Sequence, residues 1–203
     1  MISQEIKKEK TLVIIKPDGV QRSLIGDIIK RHERIGLKLI ALKFIIPTVE
    51  MIECHYTVDP EWLRKVGEKT IGGYKAKNLP PPSDDPVVNG RTVLKRLCKY
   101  MKSGPVVAMV WQGAHAVGIV RKIIGSTEPM TSDVGTIRGD FVTDSYVMSG
   151  AEDRAIRNIV HASESAEEAE KEIKIWFKED DVLNYRLIQE EILYDVNLDG
   201  LLE

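Results

Sequence analysis

The chemistry within reach of this sequence begins at His161. It ends a short apolar run, Asn158-Ile159-Val160-His161, that reads as a strand, and the small residues Ala162 and Ser163 follow it. Glu172 falls in the second turn of the next helical segment, on the border of an apolar stripe that includes Ala169 and Trp176. From there a carboxylate can point back toward the strand end. A carboxylate that accepts a hydrogen bond from one imidazole nitrogen fixes the tautomer and leaves the other nitrogen as a nucleophile. Spacing alone leaves the plainer readings open: a structural or exposed histidine, and a solvated helix charge. The cations are equally open. Lys16 closes the first strand, Arg121 lies on a helix face, and Arg138 follows Gly135-Thr136-Ile137 in a loop. Together they suit a bound anion; singly, each reads as well as a surface charge.

Several familiar signatures are missing. The sequence contains no G-x-x-x-x-G-K-[ST], no G-x-G-x-x-G after a strand, no H-E-x-x-H and no G-x-S-x-G, so phosphate chemistry needs a cradle other than a P-loop or a Rossmann turn. Cys54 and Cys98 lie far apart without C-x-x-C spacing and read as two reduced thiols, not as a metal or redox pair. The 203 residues are 43% hydrophobic, enough for one well-buried core. Their net charge of -2 gives no electrostatic reason to expect nucleic acid as a partner. The N-terminal residues have no apolar stretch behind their charges, and the longest apolar runs are too short to span a bilayer. The expectation is a soluble, cytoplasmic protein with no membrane partner.

The elements that must position these groups follow from periodicity and turn chemistry. Residues 11–15 form a β-branched run, a buried strand stopped by Lys16-Pro17-Asp18-Gly19. Ser23 is placed to cap a helix over 24–35 that ends at Gly36, and 37–46 reads as a second strand before Pro47. Short helices are expected over 48–56 and 60–70. The Gly- and Pro-rich stretch 72–89 reads as a surface loop, and 91–102 returns to a helical pattern. A third strand covers 105–111, and a helix over 116–124 stops at Gly125. A long loop follows over 125–138, then a strand or hairpin arm at 141–147. Ser165 with Glu168 makes a capping box for the helix that carries Glu172. Leaving out the extra helices, the order is β-α-β-β-α-β: a ferredoxin-like α/β (α+β) fold, an antiparallel sheet with helices packed on one face. No internal repeat or linker divides the chain, so 1–203 is expected to be a single domain.

The motifs are more specific than the spacing. Ile15-Lys16-Pro17-Asp18-Gly19-Val20, His55-Tyr56, and Ser103-Gly104-Pro105 with the run to Trp111 resemble the nucleoside diphosphate kinase family. So do Gly135-Thr136-Ile137-Arg138-Gly139-Asp140-Phe141, Asn158-Ile159-Val160-His161-Ala162-Ser163-Glu164, and Ala169-Glu170-Lys171-Glu172-Ile173 with Trp176-Phe177. The resemblance runs from about residue 10 to about residue 177. It implies transfer of a terminal phosphate from a nucleoside triphosphate to a nucleoside diphosphate, by ping-pong kinetics, through a phosphohistidine at His161. It further implies that Glu172 orients the ring and that Ser163 supports Glu172. Lys16, Tyr56, Arg121, Thr127 and Arg138 are implied around the phosphates, and Asn158, with Lys16, at the sugar hydroxyl. Mg²⁺ is implied as a passenger on the nucleotide phosphates, with no dedicated protein metal site, and a homo-oligomer, hexamer or tetramer, as the assembly.

The sequence departs from the family pattern in two places. Insertions are expected within about 58–92 and about 143–156, both between site segments and not inside them. The family's base-stacking phenylalanine after His-Tyr is missing. Trp62 or Arg64 is available in its place, and a core-packing Trp62 is an equal alternative. Ala162 stands for the usual glycine and Glu164 for the usual aspartate. The tail over 178–203 falls largely outside the resemblance, either a helix docked on a neighbouring subunit or a disordered end. Two other classes compete with the enzyme: a scaffold that uses the family's surface without its chemistry, and a nucleotide sensor that binds without turnover.

Overall fold

In the computed structural model, which describes residues 2–76 and 78–194, the first elements are α1 (Ile2–Lys7), β1 (Lys10–Ile15), α2 (Pro17–Gln21), α3 (Ile25–Glu33), β2 (Lys38–Ile45) and α4 (Val49–Tyr56). Then come α5 (Trp62–Lys75), α6 (Pro86–Met101), β3 (Val106–Gln112), α7 (Ala116–Ile124), α8 (Ile137–Phe141) and α9 (Tyr146–Ala151). The chain finishes with β4 (Val160–Ala162), α10 (Ala166–Trp176) and α11 (Gln189–Tyr194); short 3₁₀ turns sit at Pro129–Thr131 and Glu179–Asp181.

The strands form one sheet in the order β2-β3-β1-β4, and every neighbouring pair is antiparallel. This is the order a βαββαβ chain must take when each helix returns it across the sheet. Helices cover both faces. Val13, Ile15, Val107, Met109 and Trp111 pack with Ile28 of α3, and with Val120 and Ile124 of α7. On the other face, Leu12, Ile14, Ala108 and Val110 pack with Ile52 of α4, Met101 of α6 and Trp176 of α10. Double coverage explains why the apolar stretches of β1 and β3 are continuous and not alternating. It also extends the expectation of helices on one face.

Helix starts follow local chemistry. Thr48, Asp85, Thr136, Ser145 and Ser165 cap α4, α6, α8, α9 and α10 by accepting backbone N–H groups of the first turn. Four expectations need correction. Ser23 does not cap α3; it takes a left-handed φ of 59°, and Leu24 holds the cap position. The stretch 72–89 is only partly loop, because α5 runs through Gly72-Gly73 and α6 starts at Pro86 behind its Asp85 cap. The stretch 141–147 is no strand: Phe141 ends α8, and Ser145 opens α9. Only half of the Ser165–Glu168 box forms, because the Glu168 carboxylate accepts the Glu164 N–H at 2.9 Å instead of that of Ser165.

The described part of the C-terminal segment docks on its own chain. Leu183 N–H donates to Ile40 O at 2.8 Å, Tyr185 Oη–H donates to Leu39 O at 2.7 Å, and Lys38 pairs with Glu190 at 2.8 Å. Residues 195–203 of the expected tail lie outside the described residues.

Candidate active site

The site is built at the open ends of β1 and β4. Just before β4 the chain makes a three-residue turn in which Val160 N–H donates to Asn158 O at 2.6 Å, with Ile159 at φ 51°. A β-branched residue in the left-handed region costs about 1–3 kcal/mol, so the surroundings must impose it. They do so from two sides. Lys16 N–H donates to Ile159 O at 2.8 Å. Arg138 spreads its guanidinium over the turn, donating to Asn158 O at 3.3 Å, Val160 O at 2.7 Å and Gly125 O at 2.9 Å. Gly19 makes room: a Cβ there would lie 2.8 Å from Ile15 Cγ2 and 3.1 Å from Ile159 O.

This turn delivers His161 into register opposite Ile14 of β1. His161 Nε2 lies 3.0 Å from Glu172 Oε1, and Ser163 Oγ–H donates to Glu172 Oε2 at 2.6 Å. Leu12 N–H in turn holds Ser163 Oγ at 3.3 Å. Glu172 is 1% exposed. Burial raises its pKa, and His55 and the Ser163 hydroxyl oppose the rise. The His161 pKa is held down to about 3 by burial, with the Lys16 and Arg138 cations adding to the effect. The imidazole is therefore neutral, with its proton on Nε2 toward the carboxylate and its lone pair on Nδ1.

Lys16 is buried, and its Nζ donates to Asn158 Oδ1 at 2.7 Å. Burial and Arg138 bring its pKa down to about 7 against the opposing pull of Asp18. Burial likewise lowers Arg138 to about 10. Asn158 completes the frame by donating from Nδ2 to Thr127 O at 2.9 Å. The Tyr56 hydroxyl is buried without a hydrogen-bond partner among the described residues, and its ring lies 6.5 Å from that of His161. Burial pushes its pKa up. Of the expected residues, His161, Glu172, Ser163, Lys16, Tyr56, Arg138 and Asn158 thus converge. Thr127 joins through its carbonyl. Arg121 stands at the rim, its side chain 44% exposed and only 3.9 Å from Glu164 at closest. Trp62 lies 5.6 Å from the Tyr56 ring at a tilt of 39°, half-buried at the mouth. Arg64 is engaged instead with Glu61 and Glu68.

Sequence reasoning gave no role to two residues found here. His55 Nδ1 lies 3.3 Å from Glu172 Oε1 and accepts the Trp176 Nε1–H at 3.4 Å, with its ring edge-on to His161 at 4.4 Å. Burial lowers its pKa to about 3. Its place beside Tyr56 was the one available signal. Tyr100 donates to Asp18 Oδ1 at 2.6 Å and lies with its ring 5.5 Å from Lys16 Nζ. Nothing in the sequence connects a helix tyrosine to the Lys-Pro-Asp-Gly turn.

His55, His161 and Glu172 are the one group of three metal-ligand types among the described residues, with donor atoms within 4.8 Å of one another. Two imidazoles and a carboxylate do not suit Mg²⁺, which takes oxygen ligands in octahedral geometry. What the site offers is a neutral imidazole nucleophile with an oriented tautomer, beside buried cations and a free phenol. That is equipment for taking up an anionic group.

Comparison with known proteins agrees. A family model described as nucleoside diphosphate kinase matches residues 9–62 and 87–182. A nucleoside diphosphate kinase of Pyrobaculum aerophilum is 48% identical over 179 residues, covering 86% of this chain and 98% of the relative. Nucleoside diphosphate kinase B of Mus musculus is 40% identical over 187 residues, 92% of this chain and 97% of the relative. Among solved structures, an NDP kinase from Pyrobaculum aerophilum superposes with a TM-score of 0.84 at 46% identity, covering 87% of this chain and 100% of that one. A nucleoside-diphosphate kinase from Borrelia burgdorferi, a transition-state mimic with bound vanadate and ADP, gives 0.74 at 36% identity, covering 90% and 95%.

Proposed function

The chain belongs to the nucleoside diphosphate kinase family, and from that premise we propose which of its residues carry phosphate from a nucleoside triphosphate to a nucleoside diphosphate. The carrying observation is the His161–Glu172–Ser163 chain of hydrogen bonds, which leaves His161 Nδ1 as a free lone pair. In the first half-reaction Nδ1 attacks the terminal phosphorus of the triphosphate. The N–P bond forms as the P–O bond to the leaving diphosphate breaks, and the ring becomes cationic with its Nε2–H on Glu172. In the second half a terminal oxygen of an acceptor diphosphate attacks the same phosphorus; the new P–O bond forms as the Nδ1–P bond breaks, its electron pair returns to Nδ1, and neutral His161 is restored. One site serves both substrates in turn, so the kinetics are ping-pong.

Charge on the transferring group spreads over its oxygens, and fixed cations and donors stabilise it without reorganising. Lys16, Arg138 and the Tyr56 hydroxyl fill this role inside the site. Arg121 and Thr127 reach the phosphates from the rim, and Asn158, with Lys16, meets the sugar hydroxyl. Mg²⁺ enters on the phosphates as part of the substrate. Trp62 offers its face to the base beside Tyr56.

The same reading treats 1–203 as one domain with insertions near 58–92 and 143–156; residues 63–86 lie between the two stretches that the family model matches. It places the protein in the cytoplasm as a homo-oligomer, a hexamer or tetramer, without nucleic acid. No helix among the described residues is long and apolar enough to cross a membrane.

The test is intact mass after incubation with Mg-ATP. A gain of one acid-labile phosphate, mapped to His161, discharged by a nucleoside diphosphate and absent from a folded His161→Ala variant, is the expected result. A folded wild-type chain that takes up no phosphate, or carries it on another residue, overturns the assignment.

A further inference from the structure

Lys16 and Asp18 stand two positions apart at the same strand end, one buried cation and the carboxylate nearest to it in sequence. They make no ion pair within 4.0 Å. Lys16 Nζ donates to Asn158 Oδ1 at 2.7 Å, and Asp18 Oδ1 accepts the Tyr100 hydroxyl at 2.6 Å. Tyr100 comes from α6, far along the chain, and its ring lies 5.5 Å from Lys16 Nζ. The other groups around Lys16 are the Arg138 guanidinium from α8, the neutral rings of His161 from β4 and His55 from α4, and Asn158 from the turn before β4. Glu172, the other nearby carboxylate, is held by Ser163 and His161. Asp18 is thus the anion poised to reach Lys16. In a buried site a direct pair would be strong, and it would compete with any incoming phosphate.

We propose that Tyr100 is a positioning residue for phosphate transfer: by holding the Asp18 carboxylate, it keeps Asp18 off Lys16 and leaves the lysine's remaining N–H donors free for phosphate. The aromatic face beside Nζ supports the cation without occupying those donors. Asp18, held by Tyr100, favours the charged lysine without pairing with it. The proposal rests on the reading that Lys16 binds phosphate. It adds a tether that runs from α6 into the site.

Tyr100→Phe keeps the ring and removes the tether, and Asp18→Asn keeps the shape and removes the charge. The measurement is kcat/KM for Mg-ATP against pH for the wild type, both single variants and the double variant, with Tm recorded for each. In Tyr100→Phe the freed carboxylate pairs with Lys16. The expected result is a fall in kcat/KM of about tenfold at neutral pH and an alkaline limb moved to higher pH. Asp18→Asn moves that limb to lower pH, and adding Tyr100→Phe to it changes nothing further. An alkaline limb in Tyr100→Phe that stays put or moves down overturns the proposal. So does an effect of Tyr100→Phe that persists in the Asp18→Asn background, which would mark plain packing. The readings separate cleanly. If the wild type takes phosphate on His161 while the Tyr100→Phe profile stays unshifted, only the tether fails; if the wild type takes none, the underlying assignment fails first.

Discussion

His161 stays neutral far into acid because burial and the Lys16 and Arg138 cations hold its pKa down to about 3. Lys16, conversely, begins to lose its proton near neutrality, at about 7. The profile of kcat/KM reports groups in the free enzyme. It is therefore expected to show no acid inflection near 6.5, where an ordinary histidine titrates, and to fall on the alkaline side from about 7. Bound phosphate favours the charged lysine, so the alkaline limb of kcat lies at higher pH than that of kcat/KM. An acid inflection at 6.5, with no alkaline loss below pH 9, would contradict this assignment of charges. At this scale the sequence carried most of the cast. His161, Glu172 and Lys16 were visible as types, and the family resemblance supplied their roles. His55 and Tyr100 were not legible, because their parts depend on contacts between α4 or α6 and groups far away in the chain.

The hairpin of α5 and α6 is held by contact of backbones. A Cβ on Gly67 would lie 1.7 Å from Pro86 O, and one on Gly90 would lie 2.1 Å from Leu63 O. Nothing flexible stands in either place, so a methyl group must force the helices apart. Gly90→Ala is expected to cost about 1–3 kcal/mol and to lower Tm by several degrees in calorimetry. Gly26→Ala in α3, where a Cβ meets nothing within 4 Å, should leave Tm unchanged or raise it slightly. Equal effects at the two positions would refute close packing as the reason for Gly90. The hairpin also shows why element boundaries were the harder part of the sequence. Gly72-Gly73 looks like loop together with the three consecutive prolines, which are loop, yet α5 runs through the two glycines because weak helix propensity is overridden where another face of the helix is packed. The Asp85-Pro86 cap then restarts the helix sooner than periodicity alone suggested. By contrast, β1, β2 and β3 were legible almost to the residue, because apolar runs of this length closed by sharp turn signals have few other solutions.

For the whole molecule, strand order leaves β2 on an edge, and Leu42, Phe44 and Ile46 stand in alternation there, 47%, 60% and 64% exposed. A long apolar edge is a liability for a monomer. Light scattering is expected to give a multiple of the 22.9 kDa chain mass, and Phe44→Glu should shift it toward smaller species. A wild-type mass of one chain would refute the assembly. The βαββαβ order was readable from the sequence because β1, β2 and β3 are apolar runs closed by turn residues, although long helical connections separate β2 from β3 and β3 from β4. Coverage of the second face was not, since α4, α6 and α10 come from separate stretches that periodicity alone does not bring together.

The turn at Ile159 has a consequence for how such a chain can change over time. Residues that tolerate a left-handed backbone are small or polar, yet this side chain is fully buried in the core beside α3 and α7. Glycine would relax the backbone and open a cavity; asparagine would relax it and bury an unpaired amide. Each single step trades about 1–3 kcal/mol of strain for a loss of similar or larger size. The position is therefore an evolutionary dead lock: neither relaxing substitution leaves the strained conformation without a loss elsewhere, and the geometry of His161, two residues on, is inherited along with the core.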